Sequence, residues 1–559
     1  MRCEIVSLQH GCVNPVPEQT ARVARAAFPR GNPYLKLRDE LGTLFTDADF
    51  SSLFPVRGQP AFCPWRLALV TIMQYVEGLS DRQAADAVRA RIDWKYALGL
   101  ELSDPGFDSS ILSEFRSRLL EGQAEQLLFT KLLEHFRQRK LLRERGKQRT
   151  DSTHVLASVR TLNRLELVGE MLRQALNQLA VIAPDWLCVH THPDWPERYA
   201  RAFSEYRFPT RLQERAKLML TIGADGVALL QAAYAPAAPN WLREVPAVEL
   251  LRQVWVQNYY QDEAGLQWRG EESVPPAAVA ICSPTDPEAH LGKKRTTVWV
   301  GYKCHLTETC EADLPHLITQ VTTTPAPTRD SEAMETIQTG LQEGGLLPAK
   351  QLVDGGYVDA DLLVSSKRDF GIELVGPAPE DTSWQAREGA GFAGSQFKVD
   401  WVAEKVSCPE GKVSVSWKTT TDRYGNETIE VRFGRSDCRA CGSREQCTRS
   451  RDMRRTLTLR PQAQYEALQR ARERQGGEGF REEYACRAGV EGTISQGVRG
   501  LELRRCRYVG QAKTHLQHLM TAAAVNIVRV WQWLDDRPRA KTRQSAFIRL
   551  MLQPVPISL

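Results

Sequence analysis

The sequence has no long apolar run. Its apolar stretches fall short of the roughly 18 residues that cross a bilayer, so no membrane partner is expected. The first residues, Met1 to His10, contain no apolar signal core. Because export needs such a segment, we expect a cytoplasmic protein.

A disulfide scaffold is also not expected, although cysteine is present. The chain has 13 cysteines, an odd number, among 559 residues. In a long chain without an export signal, cysteines are expected to stay reduced. Isolated ones should be buried thiols, and any tight cluster is better interpreted as a metal site.

The chain has little net charge, +5, but its basic residues are concentrated in three stretches. Residues 137–149 hold seven Lys or Arg and one acid, residues 499–513 hold five and one acid, and residues 537–549 hold five and no acid. Such stretches suit a polyanion such as DNA or RNA. A solvated helix face is the alternative for each.

Residues 64 to about 145 have the pattern of helices. An apolar helix begins at Pro64 and is broken at Gly78, and Ser80 with Gln83 forms a capping box for the next helix. Helix, turn and helix is the outline of a DNA-binding helix-turn-helix, and a structural helical hairpin shares that outline. Further helices are predicted from about residue 111 and over about 124–145.

The pattern then indicates a mixed α/β sheet. Predicted strands cover residues 148–158, the segment from 296, and residues 317–323, 351–357 and 372–375. Asp151 lies in the first strand, where a buried acid needs a partner such as a metal or His154. Asp354 closes an apolar strand, at the edge where ligands bind in such sheets. Turn capping is the alternative for both acids, and Asp330 is predicted to cap a helix.

Two segments depart from the sheet pattern. Residues 161–275 carry a leucine stripe typical of helices, and their Cys188, His190 and His192 are interpreted as structural or surface residues. Residues from 381 are rich in Gly, Trp and charge, and they carry four further cysteines.

These four are Cys408, Cys438, Cys441 and Cys447. Cys438 and Cys441 have the spacing of a tetrahedral zinc site, which the other two could complete. A gap of 29 residues after Cys408 is long for a compact ribbon, so four reduced thiols remain the alternative.

Residues 481–500 are predicted to be helical, which places Tyr484, Arg487 and Glu491 on one face. Arg grips phosphate oxygens and Glu can hold a hard cation, so this face suits a phosphodiester. An exposed Arg–Glu pair is the plain alternative. Together with Asp151 and Asp354, Glu491 can converge on two Mg²⁺ or Mn²⁺ ions.

In these motifs the chain resembles the DDE transposases of bacterial insertion sequences, and in detail the insertion sequence 1182 family. The resemblance covers about residues 60–535. It is carried by Asp151-Ser152-Thr153, Gly301-Tyr302-Lys303, Asp354-Gly355-Gly356-Tyr357, Tyr484-x2-Arg487-x3-Glu491, Arg504-Arg505 and Lys513-Thr514.

The resemblance implies a ribonuclease-H-like core that cuts transposon ends and joins them to target DNA. Asp151, Asp354 and Glu491 would bind the metals, Arg487 would contact phosphate and Tyr484 would position the terminal strand. Related transposases carry a Lys seven residues after the glutamate, where this chain has Val498 followed by Arg499. Arg499 or Lys513 would have to substitute, beside Arg504 and Arg505. The implied partners are terminal inverted repeats, target DNA and a second copy of the chain at synapsis, in a bacterial nucleoid.

The predicted division of the chain follows from these patterns. It runs as an N-terminal tail (1–60), a helix-turn-helix-like module (61–146), a first part of the core (147–380) with a helical insertion (about 161–275), a cysteine-bearing, zinc-ribbon-like insertion (381–475), a second part of the core with the Glu491 helix (476–536) and a basic tail (537–559).

Overall fold

A computed structural model gives the fold. It describes residues 6–8, 15–55, 57–205, 208–389, 391–538 and 546–551. Most of the predicted basic tail, residues 537–559, lies outside these ranges; within it Ala546–Met551 is a short helix.

The centre of the chain is a six-stranded mixed sheet. Its strands are β1 (Arg145–Leu156), β2 (His290–Lys294), β3 (Thr297–Thr309), β4 (Ile318–Pro325), β5 (Pro348–Val353) and β6 (Glu373–Val375). The order is β6–β5–β1–β3, and β2 and β4 pair with the two ends of β3 on its other side. β5 runs parallel to β1 and β6, whereas β3 runs antiparallel to β1. The predicted mixed α/β class is confirmed, and the sheet is compatible with a ribonuclease-H-like core.

Five helices pack around this sheet. They are α1 (Met334–Glu343), α2 (Ala360–Phe370), α3 (Glu478–Ala485), α4 (Gly489–Gly500) and α5 (Gln511–Leu534). α5 lies between β4 and the N-terminal helices, and its side chains are buried over most of its length. The three consecutive alanines Ala522–Ala524 leave room for close packing on both sides.

The N-terminal region is helical and includes the predicted helix-turn-helix outline. Its helices are Glu18–Ala27, Pro33–Lys36, Leu37–Leu41, Asp47–Leu53, Pro64–Glu77, Asp81–Ala90, Ile92–Leu98, Ser110–Glu121 and Leu127–Gln138, and two short strands, Val6–Ser7 and Gln59–Pro60, pair in parallel. Gly78 ends a helix in the left-handed region, with φ of 67°, and Ser80 and Gln83 form the predicted capping box. The last helix is shorter than predicted because β1 already begins at Arg145.

Regular structure also precedes residue 60, where the sequence pattern predicted little. Phe45 and Phe50 are buried there against the helical core. The elements are short, so no helical period is long enough to be recognised, and tertiary packing stabilises them.

The segment between β1 and β2 is mainly helical, as predicted. Its elements are Arg164–Ile182, Pro184–His190, Trp195–Tyr199, Phe203–Glu205, Leu212–Ala233, Asn240–Glu244, Pro246–Asn258 and Glu271–Ser273, with a hairpin of Tyr259–Asp262 and Gly265–Trp268 that the pattern did not indicate. Leu212–Ala233 is, among the described helices, the one long and apolar enough to span a membrane. One such helix is weak support for a span, and here Ile222 and Leu229 pack into the core of this segment.

The cysteine-bearing segment forms small sheets and short helices. Its elements are Trp384–Glu388, Gly394–Gln396, Lys398–Asp400, Lys405–Ser407, Ser414–Thr421, Glu427–Phe433, Arg435–Arg439, Arg444–Cys447, Thr456–Leu459 and the long helix Gln462–Gly476. Phe397, Val431 and Phe433 form its small apolar core.

Candidate active site

Two of the three predicted acids lie side by side at one edge of the sheet. β1 and β5 are parallel, and Thr150 is opposite Val353, so Asp151 and Asp354 follow at adjacent positions. The Asp151 side chain is 11% exposed and that of Asp354 is 48% exposed. Asp354 accepts a hydrogen bond from the Gly355 N–H at 2.6 Å, which fixes its carboxylate at the end of the strand.

Glu491 reaches this edge from a helix that begins just before it. The predicted continuous helix is wrong in one respect: a 3-10 turn, Cys486–Ala488, separates α3 from α4. The turn places Arg487 between the helices and Glu491 in the first turn of α4, where the helix dipole favours a carboxylate.

The guanidinium of Arg487 lies among all three acids. Its Nη2 is 2.5 Å from Asp151 Oδ2 and 4.0 Å from Asp354 Oδ2, and its Nη1 is 2.9 Å from Glu491 Oε1. Arg487 is itself 13% exposed. The structure therefore brings the three acids around one cation, which belongs to the protein.

Arg487 is also the partner that buried Asp151 needs. Burial raises the pKa of Asp151, and the Arg487 charge and a hydrogen bond from the Ser152 N–H oppose that rise. The predicted partner His154 is wrong: three residues along a strand, its side chain points to the opposite face, where its ring contacts Trp299.

A buried charge cluster packs beside the candidate site. It consists of Glu308, which is fully buried on β3, Arg149 on β1 and Arg529 on α5. Arg149 Nε donates to Glu308 Oε1 at 2.7 Å and Arg529 Nη1 donates to Glu308 Oε2 at 2.6 Å. Burial raises the pKa of Glu308, but Arg529 and Arg149 outweigh this effect and hold it below its usual value.

The buried charge cluster is bonded directly to the segment that carries Arg487 and Glu491. Arg149 Nη1 donates to the Cys486 carbonyl at 2.6 Å, and Thr493 Oγ1 on α4 donates to Glu308 Oε2 at 2.6 Å. A Cβ on Gly489 would lie 1.9 Å from Arg149 Nη1, so any larger residue there would displace the Arg149 guanidinium from its contacts. Sequence patterning missed this cluster because its members lie far apart in the chain.

Tyr484 contacts the end of β5. Its hydroxyl donates to the Val353 carbonyl at 3.2 Å, beside Asp354, and its ring stacks on Phe480. This contact ties α3 to the strand that positions Asp354.

The other predicted nucleic-acid contacts lie at varying distances from the acids. Arg504 Nε donates to Thr153 Oγ1 at 2.8 Å, two residues along β1 from Asp151 and on the same face. Arg505 is exposed in a segment that pairs with Leu156 at the end of β1. Arg499 and Lys513 are exposed at the end of α4 and the start of α5.

The structure also gives the positions of Asp330 and Val498, two residues that the sequence singled out. Asp330 does not cap α1, which has Ala333 as its N-cap; it binds Lys303 Nζ at 3.1 Å and accepts from the Ser152 hydroxyl. Val498 packs against the core, so no cation replaces the family lysine at that position itself.

The four insertion cysteines lie together. Cys408, Cys438, Cys441 and Cys447 line one small cavity beside Phe392 and Phe433. The pKa of the Cys447 thiol is raised to about 11, mainly by burial and also by the other three sulfurs, with nearby Arg455 opposing the rise. All eleven cysteines that the structure describes are free thiols.

Neither the acids nor the cysteines are arranged in the geometry of a complete metal site. Within the described ranges, no three His, Cys, Asp or Glu side chains are close enough together to hold an ion. His190 and His192 therefore belong to no such group either. At the sheet edge, the Arg487 guanidinium occupies the space among the carboxylates. The donor types still fit: oxygen ligands suit Mg²⁺ or Mn²⁺, and four thiols suit zinc.

Two family models match the chain: "Transposase DDE domain" over residues 407–531 and "Transposase domain (DUF772)" over residues 22–118. The first match includes Arg487, Glu491 and the four cysteines, and the second includes the helix-turn-helix outline. Asp151 and Asp354 lie outside both. No curated protein and no solved structure gives a significant match. The two family matches support a DDE transposase.

Proposed function

We propose that the protein is a transposase of the insertion sequence 1182 kind that cleaves transposon ends and joins them to target DNA. The observation that carries the proposal is the meeting of Asp151, Asp354 and Glu491 around Arg487. These acids come from two strands and a helix far apart in the chain, and burying an acid such as Asp151 is costly without a function or partner. The substrates are double-stranded terminal inverted repeats and target DNA, held by a homodimer at synapsis.

The residues have distinct roles in this proposal. Asp151, Asp354 and Glu491 would hold two Mg²⁺ or Mn²⁺ ions, which would supply activation of the attacking hydroxyl and stabilisation of the departing oxygen. Arg487 binds a phosphate near the cut, because a guanidinium pairs with phosphate as it does with carboxylate. Tyr484 positions the terminal strand, and Arg499, Arg504, Arg505 and Lys513 contact the backbone.

The test compares strand transfer with hydrolysis. Purified protein with Mg²⁺ or Mn²⁺ should nick DNA that carries the terminal repeats flanking its gene, and it should join pre-cut ends to a target plasmid. Nicking without joining would identify a nuclease with the same core. Binding without either reaction, and without any Mg²⁺ or Mn²⁺ uptake in calorimetry, would identify a silent DNA-binding protein and contradict the proposal.

Arg487 should oppose metal binding in the absence of DNA. Replacing it by alanine removes the cation that the three carboxylates now share, so the Arg487→Ala variant should bind Mn²⁺ about tenfold or more tightly than wild type. With DNA present, the same variant should cut more slowly because it lacks the phosphate contact. Calorimetry with Mn²⁺ and a nicking assay measure the two effects.

The matched control is Arg499→Ala, which removes an exposed cation from the same segment. Its Mn²⁺ affinity should stay close to that of wild type. If the two variants bound Mn²⁺ equally, or if Arg487→Ala bound it more weakly, the role of Arg487 as a competing cation would be wrong.

We further propose that Cys408, Cys438, Cys441 and Cys447 bind a structural zinc ion. Protein purified without chelators should carry about one zinc per chain, because four thiolates complete a tetrahedral site. The double variant Cys438→Ser/Cys441→Ser should lose it, measured by elemental analysis. Cys188→Ser, an exposed cysteine elsewhere, is the control, and equal zinc content in both variants would contradict the proposal.

A further inference from the structure

A β-hairpin extends past the sheet at the edge that carries the acids. β1 ends at Leu156, opposite Gly301, and β4 pairs with β3 only from Tyr302 onward. Residues 297–301 of β3 pair with β2, from His290–Gly301 to Lys294–Thr297. At about 3.3 Å per residue, the four residues beyond Gly301 extend about 13 Å past the end of β1. We call residues 290–301 the arm.

The base of the arm is packed firmly. Trp299 is 4% exposed, and its Nε1 donates to the Tyr302 carbonyl at 3.1 Å. A Cβ on Gly292 would lie 2.6 Å from the Trp299 ring and 2.8 Å from Ala326 Cβ, so the ring lies directly on the glycine. The arm therefore leaves the sheet from a fixed point and in a fixed direction.

The tip of the arm carries three consecutive cations. Lys293, Lys294 and Arg295 are all exposed, and residues 290–301 contain no Asp or Glu. In the part of the chain that the structure describes, none of the three forms an ion pair, whereas Arg487 and Lys303 are paired with acids.

The arm starts from the end of the strand that carries Asp151. Leu156, opposite Gly301, follows Asp151 by five residues on β1, which is about 17 Å at about 3.3 Å per residue. Because the three cations at its tip form no ion pair within the described residues, they are available to a polyanion that enters the site.

We propose that the arm binds the phosphate backbone of duplex DNA held at the candidate active site, through Lys293, Lys294 and Arg295. This inference rests on the proposed function for the place of the DNA. The contact is with phosphates and not with bases, because three adjacent cations with no hydrogen-bonding partner beside them carry no pattern for reading base edges. It adds an anchoring point that none of the motif residues supplies.

The experiment measures DNA affinity against salt. The triple variant Lys293→Ala/Lys294→Ala/Arg295→Ala is compared with wild type by fluorescence anisotropy on a random duplex of about 40 base pairs, without divalent ions. Each lost phosphate contact lowers the slope of log K against log salt by about 0.9, so the slope should fall by about 2 to 3. The control is Arg201→Ala/Arg211→Ala/Lys217→Ala, three exposed cations in the helical segment between β1 and β2, outside the three basic stretches.

The outcomes separate the arm from the function. A smaller slope in the arm variant alone, with an unchanged unfolding temperature, supports the inference even if wild type fails to cut DNA with Mg²⁺, in which case the proposed function fails alone. An unchanged slope in the arm variant while wild type cuts DNA overturns the inference alone. Equal losses in both triple variants show general charge attraction and overturn it as well.

Discussion

Replacing Asp354 by alanine should reduce nicking of terminal-repeat DNA by at least about 1,000-fold, equivalent to about 4 kcal/mol of transition-state stabilisation. Asp354 is at the end of β5, half exposed beside Asp151, and the proposed mechanism gives it a share in holding the metal ions. The change removes no phosphate-binding group, so the affinity for DNA should be retained. Single-turnover nicking with Mg²⁺ or Mn²⁺ and anisotropy without metal measure the two quantities.

The matched control is Asp369→Ala. Asp369 is exposed at the end of α2 and pairs with its neighbour Arg368, away from the acids. This variant should cut at the rate of wild type. Normal cutting by Asp354→Ala would show that the acids have been assigned wrongly.

Replacing Glu308 by alanine should lower the free energy of unfolding of the sheet by about 3–5 kcal/mol. The change leaves Arg149 and Arg529 buried without their shared carboxylate, and removing one partner of a buried ion pair costs this much. It also frees Thr493 on α4, so Mn²⁺ uptake should weaken. Hydrogen exchange of β1 and β3 amides measures the stability.

Glu335→Ala is the comparison, because Glu335 is an exposed acid in the first turn of α1. It should change the same free energy by less than about 0.5 kcal/mol. Equal effects of the two variants would show that the buried charge cluster does not support the sheet.

The Glu308 contribution should also depend on pH in a defined direction. Its pKa in the folded protein lies below the usual glutamate value of 4.5, since Arg529 and Arg149 outweigh the effect of burial. Its contribution is therefore fully present above about pH 4.5 and is lost as the pH falls through the lower folded value.

The sheet was predictable from sequence because its signals are local. Alternating residues from 296 and the apolar strand before Asp354 each identify an element within ten residues, and β3 and β5 lie where those patterns placed them. The capping box at Ser80 is equally local and equally reliable. The short helices before residue 60 lack any such period, and only their packing shows why they form.

The sequence predicted which residues would converge, but not their contacts. The order of Asp151, Asp354 and Glu491 and the spacing to Arg487 singled these residues out as the candidate site, and the structure brings them together. Spacing could not show that Arg487 pairs with all three acids, or that Glu308 holds Cys486 and Thr493 through Arg149 and its own carboxylate. The contacts of Glu308 and Arg149 with this segment join residues more than 150 positions apart, and no periodicity records them.

The position of α5 has a consequence for synthesis. The helix Gln511–Leu534 lies between β4 and the helix Pro64–Glu77, so the last tenth of the chain fills the space between two units that leave the ribosome long before it. Until translation passes Leu534, the two units lack the helix that packs against both of them. Arg529 is then also missing from the buried charge cluster that bonds to Thr493 on the Glu491 helix. The buried charge cluster is therefore complete only after Arg529 has been translated.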